Sequence, residues 1–321
     1  MKDIDARNED LTYGELLALV NLLENPGYKL TGFHYTSLSR DLLSIYSTYL
    51  EKHPGLVLPM QVATGPLVNL TDIMVPDVQM VSLIKKGQLK LIYHLPFPFT
   101  LYGEVKDSLV VACKNYLNRH FNAVISVTGE SKLTYVLHSS YPNADRVSSD
   151  QNAKFVKNLE YVFSDTKGDI LIENLVGSNK HPRPWGSPEM IFSEIVIPAR
   201  ETSLGDRVGL CFDTEHYFGS GHDWEDILSN PMLVSSIRVV HLNSHPSNVI
   251  KGSRHDLHSY TSLRSTYSKE NLTRLLSVFR GAWVVTERRL PSVSISDWLY
   301  CQSCVLDLAA TKEDLNGTNH S

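Results

Sequence analysis

Residues that can bind a metal ion stand at the ends of apolar, strand-like runs in this sequence. The run RVGLCFD closes on Asp213, and His216 follows three residues later. Five further runs close on a residue of the same kind, namely His94, His138, Glu173, His241 and Glu287. A carboxylate that closes a buried strand costs desolvation free energy unless a partner neutralises it. Imidazole and carboxylate groups are ligands that zinc and related metals prefer, so these ends predict a metal cluster.

A second candidate set lies in the long segment after the seventh run. The stretch GSRHDLHSY carries Asp256 and His258, which are separated by one residue. In extended backbone such a pair points both side chains to the same side. With His216 the pair gives two histidines and one aspartate, a ligand set typical of zinc with an open coordination position.

Each of these residues has a simpler interpretation when it is taken alone. Asp is a preferred helix N-cap residue, so a capping role would also explain Asp213. Glu287 precedes two arginines and is open to a surface ion pair of little energetic weight. A histidine at a strand end is often only a hydrogen-bonded core residue. The repetition of the pattern over six runs favours the metal cluster.

Of the remaining histidines, only His34 has a comparable position. His34 closes the first run in GFHYTS, at the same end as the cluster, and is open either to orienting a substrate or ligand or to packing without a chemical role. The others are expected at the surface or in loops: His53, His120, His181, His222, His245, His255 and His320.

Eight β-type runs must position these residues. They span 28–34, 55–62, 89–94, 132–138, 169–174, 207–213, 237–242 and 282–287. Helical periodicity marks 39–53, 105–121, 152–165 and 268–279. Strands that alternate with helices predict a parallel sheet with crossover connections, and eight of them predict an α/β fold, the (β/α)8 or TIM barrel. In such a barrel the carboxyl ends of all strands meet at one face, which would bring the candidate ligands together.

The barrel is expected to occupy 28–310, preceded by an extension of residues 1–27 that carries an added helix and followed by a flexible tail, 311–321.

The formal net charge of −5 excludes a chain that is basic throughout, as nucleic-acid coat proteins are. The polar start MKDIDARNED and the absence of a membrane-length apolar run predict neither signal peptide nor membrane association. Four scattered cysteines do not form a disulfide framework, so we expect an intracellular protein. CQSC at 301–304 is interpreted as two small residues on a C-terminal helix.

The motifs that carry the candidate ligands resemble those of the endonuclease IV family of apurinic/apyrimidinic endonucleases, over roughly residues 28–290. GLCFDTEHYFGSGHDW is similar to the family's Gly-x-Cys-x-Asp-Thr-x-His block, and VVHLNSHPSNVIKGSRHDLH to its His-Leu-Asn block that leads into Gly-Ser-Arg-x-Asp-x-His. ILIENLVG is similar to Glu-Asn-x-x-Gly, IYHLPFPFTLYG to His-x-x-Tyr, and GFHYTS to Gly-x-His-x-Ser.

This resemblance implies three zinc ions per chain. All nine ligand positions of the family carry the family's residue types here. They are His94, His138 and Glu173 for the first ion, Glu173, Asp213, His241 and Glu287 for the second, and His216, Asp256 and His258 for the third.

The resemblance also implies an activity in base excision repair: hydrolysis of the phosphodiester 5′ to an abasic site in double-stranded DNA, leaving a 3′-hydroxyl and a 5′-deoxyribose phosphate. Zinc would activate a water molecule and neutralise phosphate charge, with Glu173 as the catalytic residue that bridges two ions. An abasic nucleotide is comparatively easy to flip out of the duplex, and Phe97 would fill the gap that it leaves. Further expected DNA contacts or supports are Lys251, Arg254, Asn174, Asn243 and His34. We expect a monomer.

Some positions depart from the family pattern, and two other functions stay open. Ser244 stands where the family has Asp, the Gly-x-Gly after the Asp-x-His pair is missing, and the second-strand loop MQVATGPLVN has no Arg or Lys. One alternative is a sugar isomerase or epimerase of the xylose-isomerase-like barrel type, which would hold one or two manganese or magnesium ions. The other is a protein that grips abasic sites without cutting.

Overall fold

Eight parallel strands close into a barrel in the order β1 to β8, so that every strand pairs with its neighbours along the chain and β1 pairs with β8. The predicted (β/α)8 barrel is confirmed. This computed structural model describes residues 31–35, 40–52, 54–65, 69–139, 148–175, 187–220, 222, 227, 229–243, 263–265, 267–279, 281–286, 297–298, 300–301 and 304. The strands are β1 Thr31–Tyr35, β2 Leu58–Ala63, β3 Leu89–His94, β4 Leu133–His138, β5 Gly168–Glu173, β6 Val208–Asp213, β7 Ile237–Leu242 and β8 Trp283–Thr286.

Helices connect the strands on the outside of the barrel. They are α1 Arg40–Lys52, α2 Val78–Lys85, α3 Asp107–Thr128, α4 Ser149–Phe163, α5 (Pro188–Ile191, a π-helical turn Phe192–Val196, and Ile197–Arg200), α6 Thr214–Gly219, α7 Pro231–Ser236 and α8 Lys269–Val278. The sequence pattern predicted α1, α3, α4 and α8 and did not predict the other four. Two of those, α6 and α7, have six residues each, too few to show a helical period. Pro198 and the π turn interrupt the period of α5.

The barrel interior contains a layer of apolar side chains directly beneath the candidate ligands. Its members are Ile92, Val136, Leu171, Cys211, Val239 and Val285. All six stand two residues before a candidate ligand in the sequence, for example Leu171 before Glu173. Side chains two residues apart on a strand point to the same face, so the five ligands that the structure describes at these strand ends lie one layer above an apolar residue. A second, larger core packs between the strands and the surrounding helices.

The structure corrects the expectation for His120, which is fully buried on α3 instead of exposed. Its Nδ1 lies 3.0 Å from the hydroxyl of Tyr135 on β4. Cys301 and Cys304 are buried and form no disulfide, in agreement with the interpretation of CQSC as packing residues. The extension 1–27 and the tail 311–321 lie outside the described residues. Among the helices that are described, none combines the length and the apolar character that a membrane span requires.

Candidate metal centre

The carboxylate of Glu173, the last residue of β5, is surrounded by imidazoles from neighbouring strand ends. Its Oε2 lies 3.1 Å from Nε2 of His94 and 3.4 Å from Nε2 of His138. Its Oε1 lies 3.2 Å from Nδ1 of His241 and 3.4 Å from Nδ1 of His216. The two oxygens of one carboxylate therefore face different pairs of histidines, an arrangement suited to a carboxylate that bridges two cations through separate oxygens.

Asp213 caps a helix, and its geometry is also compatible with the metal-binding role that the sequence suggested. One oxygen, Oδ1, accepts a hydrogen bond from the backbone N–H of His216 at 2.8 Å and caps α6. The other oxygen, Oδ2, lies 3.7 Å from Nδ1 of both His216 and His241. The helix cap fixes the side-chain rotamer, and the second oxygen is thereby aimed at the cluster.

Two buried amides hold Asp213 in place. Asn174 donates from Nδ2 to the carbonyl oxygen of Asp213 at 3.0 Å and accepts from its N–H at Oδ1 at 2.7 Å. Asn243 donates from Nδ2 to Oδ2 of Asp213 at 2.9 Å. Asn174 is 0% and Asn243 1% exposed, so their amides support the cluster from within the protein and do not face solvent.

Asn243 is itself anchored by hydroxyl groups. Thr214 accepts from the N–H of Asn243 at 2.9 Å and donates to its carbonyl at 3.0 Å. The hydroxyl of Tyr267 donates to the same carbonyl at 3.0 Å. The position of Asp213 is thus fixed by contacts from the ends of β5, β6 and β7 together.

The cluster carries two buried carboxylates, since Glu173 is 1% and Asp213 0% exposed. Burial acts to raise the pKa of Glu173, whereas the surrounding histidines, when they are protonated, lower that pKa well below its ordinary value through the charges of His241 and His138 and hydrogen bonds from His241 and His94. In the described part of the chain every ion-pair partner of Glu173 is a histidine. Neutral histidines leave the two negative charges uncompensated, and a bound cation would compensate them.

The donor atoms are close enough to share metal ions. His94, His138 and Glu173 form one group, and Glu173, Asp213 and His216 form another, each with ligand atoms within 4.8 Å of one another. Metal–ligand bonds of about 2 Å place donor atoms about 3–4 Å apart in a tetrahedral site. The residues present therefore fit zinc in chemistry and in spacing.

Backbone carbonyls fix which ring nitrogen carries the proton in two of the histidines. Nδ1 of His94 lies 2.8 Å from the carbonyl oxygen of Leu95, and Nδ1 of His216 lies 2.8 Å from that of Asn174. A ring that donates its N–H to a carbonyl carries on its other nitrogen the lone pair that a metal needs. His94 thereby offers Nε2 to the group around Glu173. In His216 the same hydrogen bond leaves the lone pair on Nε2, while Nδ1 is the nitrogen that lies towards Glu173 and Asp213.

Not every predicted site residue can be placed. Phe97 follows β3, is 44% exposed, and holds its ring 5.2 Å from the ring of His138. His34 lies at its expected position in β1, where only its backbone is described. The positions predicted for Lys251, Arg254, Asp256, His258 and Glu287 lie outside the described residues.

One residue of the cluster was not predicted from the sequence. Gln61 on β2 is fully buried, and its Oε1 lies 2.7 Å from Nε2 of His241. The only signal for it was a single amide side chain inside the otherwise apolar run GLVLPMQV.

Comparisons with solved structures agree with the barrel. The structure titled "The crystal structure of AsfvAP:AG" matches with a TM-score of 0.60 and 17% identity over 88% of this chain and 100% of that one. Endonuclease IV from Thermus thermophilus matches with a TM-score of 0.57 and 15% identity over 87% and 99%. A xylose isomerase domain containing protein from Salmonella typhimurium matches with a TM-score of 0.57 and 16% identity over 88% of this chain and 99% of that one. No protein-family model and no curated protein matches the sequence. At these identities the likeness establishes a shared fold.

Proposed function

We propose that this protein is a zinc-dependent apurinic/apyrimidinic endonuclease, a hydrolase that cuts the phosphodiester 5′ to an abasic site in double-stranded DNA. The observation that carries the proposal is the bridging geometry of Glu173, whose two oxygens face separate imidazole pairs at the carboxyl ends of the strands. Barrel enzymes perform their chemistry at this face. The likeness in fold to an endonuclease IV is consistent with the proposal.

Zinc is the metal that the donor set favours. Four imidazoles gather round one carboxylate, and imidazole nitrogen suits zinc better than it suits magnesium or manganese, which prefer oxygen ligands. His94, His138 and Glu173 would hold one ion, and Glu173, Asp213, His241 and Glu287 a second. His216, Asp256 and His258 would hold a third. When bound, the ions would supply Lewis acidity to water and to the phosphate.

The protein's own residues have distinct tasks in this proposal. Glu173 stays ionised in a buried site where positive charge surrounds it, from protonated histidines before a cation binds and from the cations afterwards, so it presents two acceptor oxygens. Asp213 is held rigidly by its cap bond and by Asn174 and Asn243, so that its outward oxygen need not reorganise when the phosphate arrives.

Recognition of the abasic site is assigned to four further residues. Phe97 is exposed beside His138, at the place where a planar side chain could enter the gap that a flipped nucleotide leaves. We assign phosphate contacts to Lys251 and Arg254 and a contact near the cluster to His34, with the protein acting as a monomer in base excision repair. The products would be a 3′-hydroxyl and a 5′-deoxyribose phosphate.

The activity can be tested on a duplex that carries one tetrahydrofuran analogue of an abasic site. The zinc-loaded protein should nick the strand 5′ to the analogue, the chelator-treated protein should not, and zinc should restore the cut. An undamaged duplex of the same sequence is the matched control. An intact tetrahydrofuran duplex after incubation with zinc-loaded protein would refute the proposal.

The same assay separates the two other candidate functions. A sugar isomerase or epimerase is supported by the likeness to a xylose isomerase domain containing protein, and it would bind one or two manganese or magnesium ions in place of about three zinc ions. A protein that only grips abasic sites would shift the tetrahydrofuran duplex in a gel and leave it uncut.

A further inference from the structure

Gln61 is a polar side chain at a level of the barrel interior where β3 to β8 carry apolar side chains. On β2 it pairs in register with Ile92 of β3, one of the residues of the interior layer. Residues that pair in register on adjacent parallel strands point to the same side of the sheet, so Gln61 also points into the barrel. It is 0% exposed, and a buried amide costs free energy unless it is hydrogen-bonded.

The amide meets a histidine from the other side of the barrel. Oε1 of Gln61 lies 2.7 Å from Nε2 of His241, a residue 180 positions later in the chain. The opposite nitrogen of the same ring, Nδ1, lies 3.2 Å from Oε1 of Glu173 and 3.7 Å from Oδ2 of Asp213. The imidazole of His241 thus spans the distance between an amide oxygen on one side and two carboxylates on the other.

We infer that Gln61 is a positioning residue that selects the tautomer of His241, so that His241 binds zinc through Nδ1. An amide oxygen is an acceptor only, and at 2.7 Å it requires the proton to reside on Nε2. The lone pair of Nδ1 then points towards the two carboxylates, an arrangement that is repulsive until a cation lies between them. The inference rests on the proposed function only in that the cluster binds zinc.

The hydrogen bond that orients His241 differs in kind from those that orient His94 and His216. His94 and His216 donate Nδ1–H to backbone carbonyls of Leu95 and Asn174, so both rings carry the lone pair on Nε2. His241 presents the other nitrogen, because its acceptor is a side chain that reaches across from β2. A backbone acceptor survives any substitution, whereas this one is removed by changing a single residue.

The test compares zinc affinity in three variants of the full-length protein by competition with a chromogenic chelator. Gln61→Met keeps the side-chain length and removes the acceptor, so we expect zinc at the weakened site to dissociate about tenfold more readily. Gln61→Glu keeps an acceptor oxygen and should stay within about threefold of the unmodified protein. Ile92→Val, a change in the neighbouring interior position, controls for packing and should leave the affinity unchanged.

A second measurement uses the unmodified protein and does not depend on the folding of any variant. In zinc-loaded protein with 15N-labelled histidine, long-range 1H–15N correlations should show His241 with a proton on Nε2 and a metal on Nδ1. His94 should show the reverse. His241 is assigned by the loss of its signals in His241→Asn.

The outcomes separate this inference from the proposed function. Equal zinc affinity for Gln61→Met and the unmodified protein, or a His241 ring with the proton on Nδ1, overturns the role of Gln61. A protein that binds zinc with the expected ring pattern but does not cut abasic DNA overturns the proposed nuclease and leaves the role of Gln61 in place. A protein that binds no zinc overturns both.

Discussion

The Oε1 atom of Glu173 lies 3.2 Å from Nδ1 of His241, although β5 and β7 are separated by a whole strand in the barrel. The contact exists because the sheet closes and directs alternate side chains of every strand towards one axis. A carboxylate and an imidazole that meet in this way, both fully buried, form a site whose charge balance depends on what is bound there.

Removing zinc should therefore destabilise the folded protein. A ligand that binds only the folded state stabilises it by about 2.7 kcal/mol at a hundredfold excess over its Kd, and the effect adds for further sites. We expect a lower Tm after treatment with a strong chelator and a return to the starting Tm after zinc is added back, measured by differential scanning calorimetry. Magnesium at the same concentration is the control. Equal melting temperatures with and without zinc would contradict a structural link between the cluster and the metal.

Asn243→Ala should weaken zinc binding without unfolding the protein. The change removes the donor that holds Oδ2 of Asp213 and leaves the Asp213 carboxylate itself in place. Loss of such a supporting contact typically costs about 10- to 100-fold in metal affinity. Asn118→Ala on the outer helix α3 is the matched control, since its amide bonds to Asp165 far from the cluster. If both variants bind zinc equally well, the amide of Asn243 does not position Asp213.

Phe97→Ala should reduce binding to abasic DNA and leave the zinc content unchanged. The ring is 44% exposed beside His138, and loss of a base-stacking or gap-filling aromatic costs about 1–3 kcal/mol. That free energy corresponds to roughly 5- to 150-fold in Kd, measured by fluorescence anisotropy with a tetrahydrofuran duplex. Tyr161→Ala changes an aromatic residue of similar exposure, 46%, on α4, and should bind the duplex normally. A normal Kd for Phe97→Ala would remove this residue from the DNA interface.

The barrel and most of the cluster were predictable from the sequence because both produce patterns among residues that are close together in the chain. Apolar runs of strand length placed β3, β4, β6 and β7 so that each ended at its observed last residue, and the ligand types stood at or next to those ends. Gln61 was not predictable, because its significance depends on a contact across the closed barrel. His120 was misplaced for a related reason: burial on α3 is decided by what packs over the helix, and a single histidine carries no sign of it.

The burial of His120 makes the stability of the protein sensitive to acid. Burial lowers the pKa of His120 from 6.5 to about 4. The unfolded chain therefore binds a proton below pH 6.5 that the folded chain does not bind until about pH 4, so stability is intact above pH 6.5 and is lost as the pH falls through this window. We expect His120→Gln, which cannot titrate, to lose about 2 kcal/mol less than the unmodified protein between pH 7 and pH 4.5 in urea unfolding. Identical pH dependence in the two proteins would show that His120 is accessible to protons when folded.

Substitution of Glu173 tests the central claim most directly, because its carboxylate is the only group that faces both imidazole pairs among the described residues. Zinc bound per chain should be measured by elemental analysis after equilibration with excess zinc and gel filtration. The unmodified protein should retain about three zinc ions, and Glu173→Gln, which keeps the shape and removes the charge, should lose at least one of them, with affinity at that site reduced more than about a hundredfold. Equal zinc content in the two proteins would contradict the assignment of Glu173 as the bridging ligand of a metal centre.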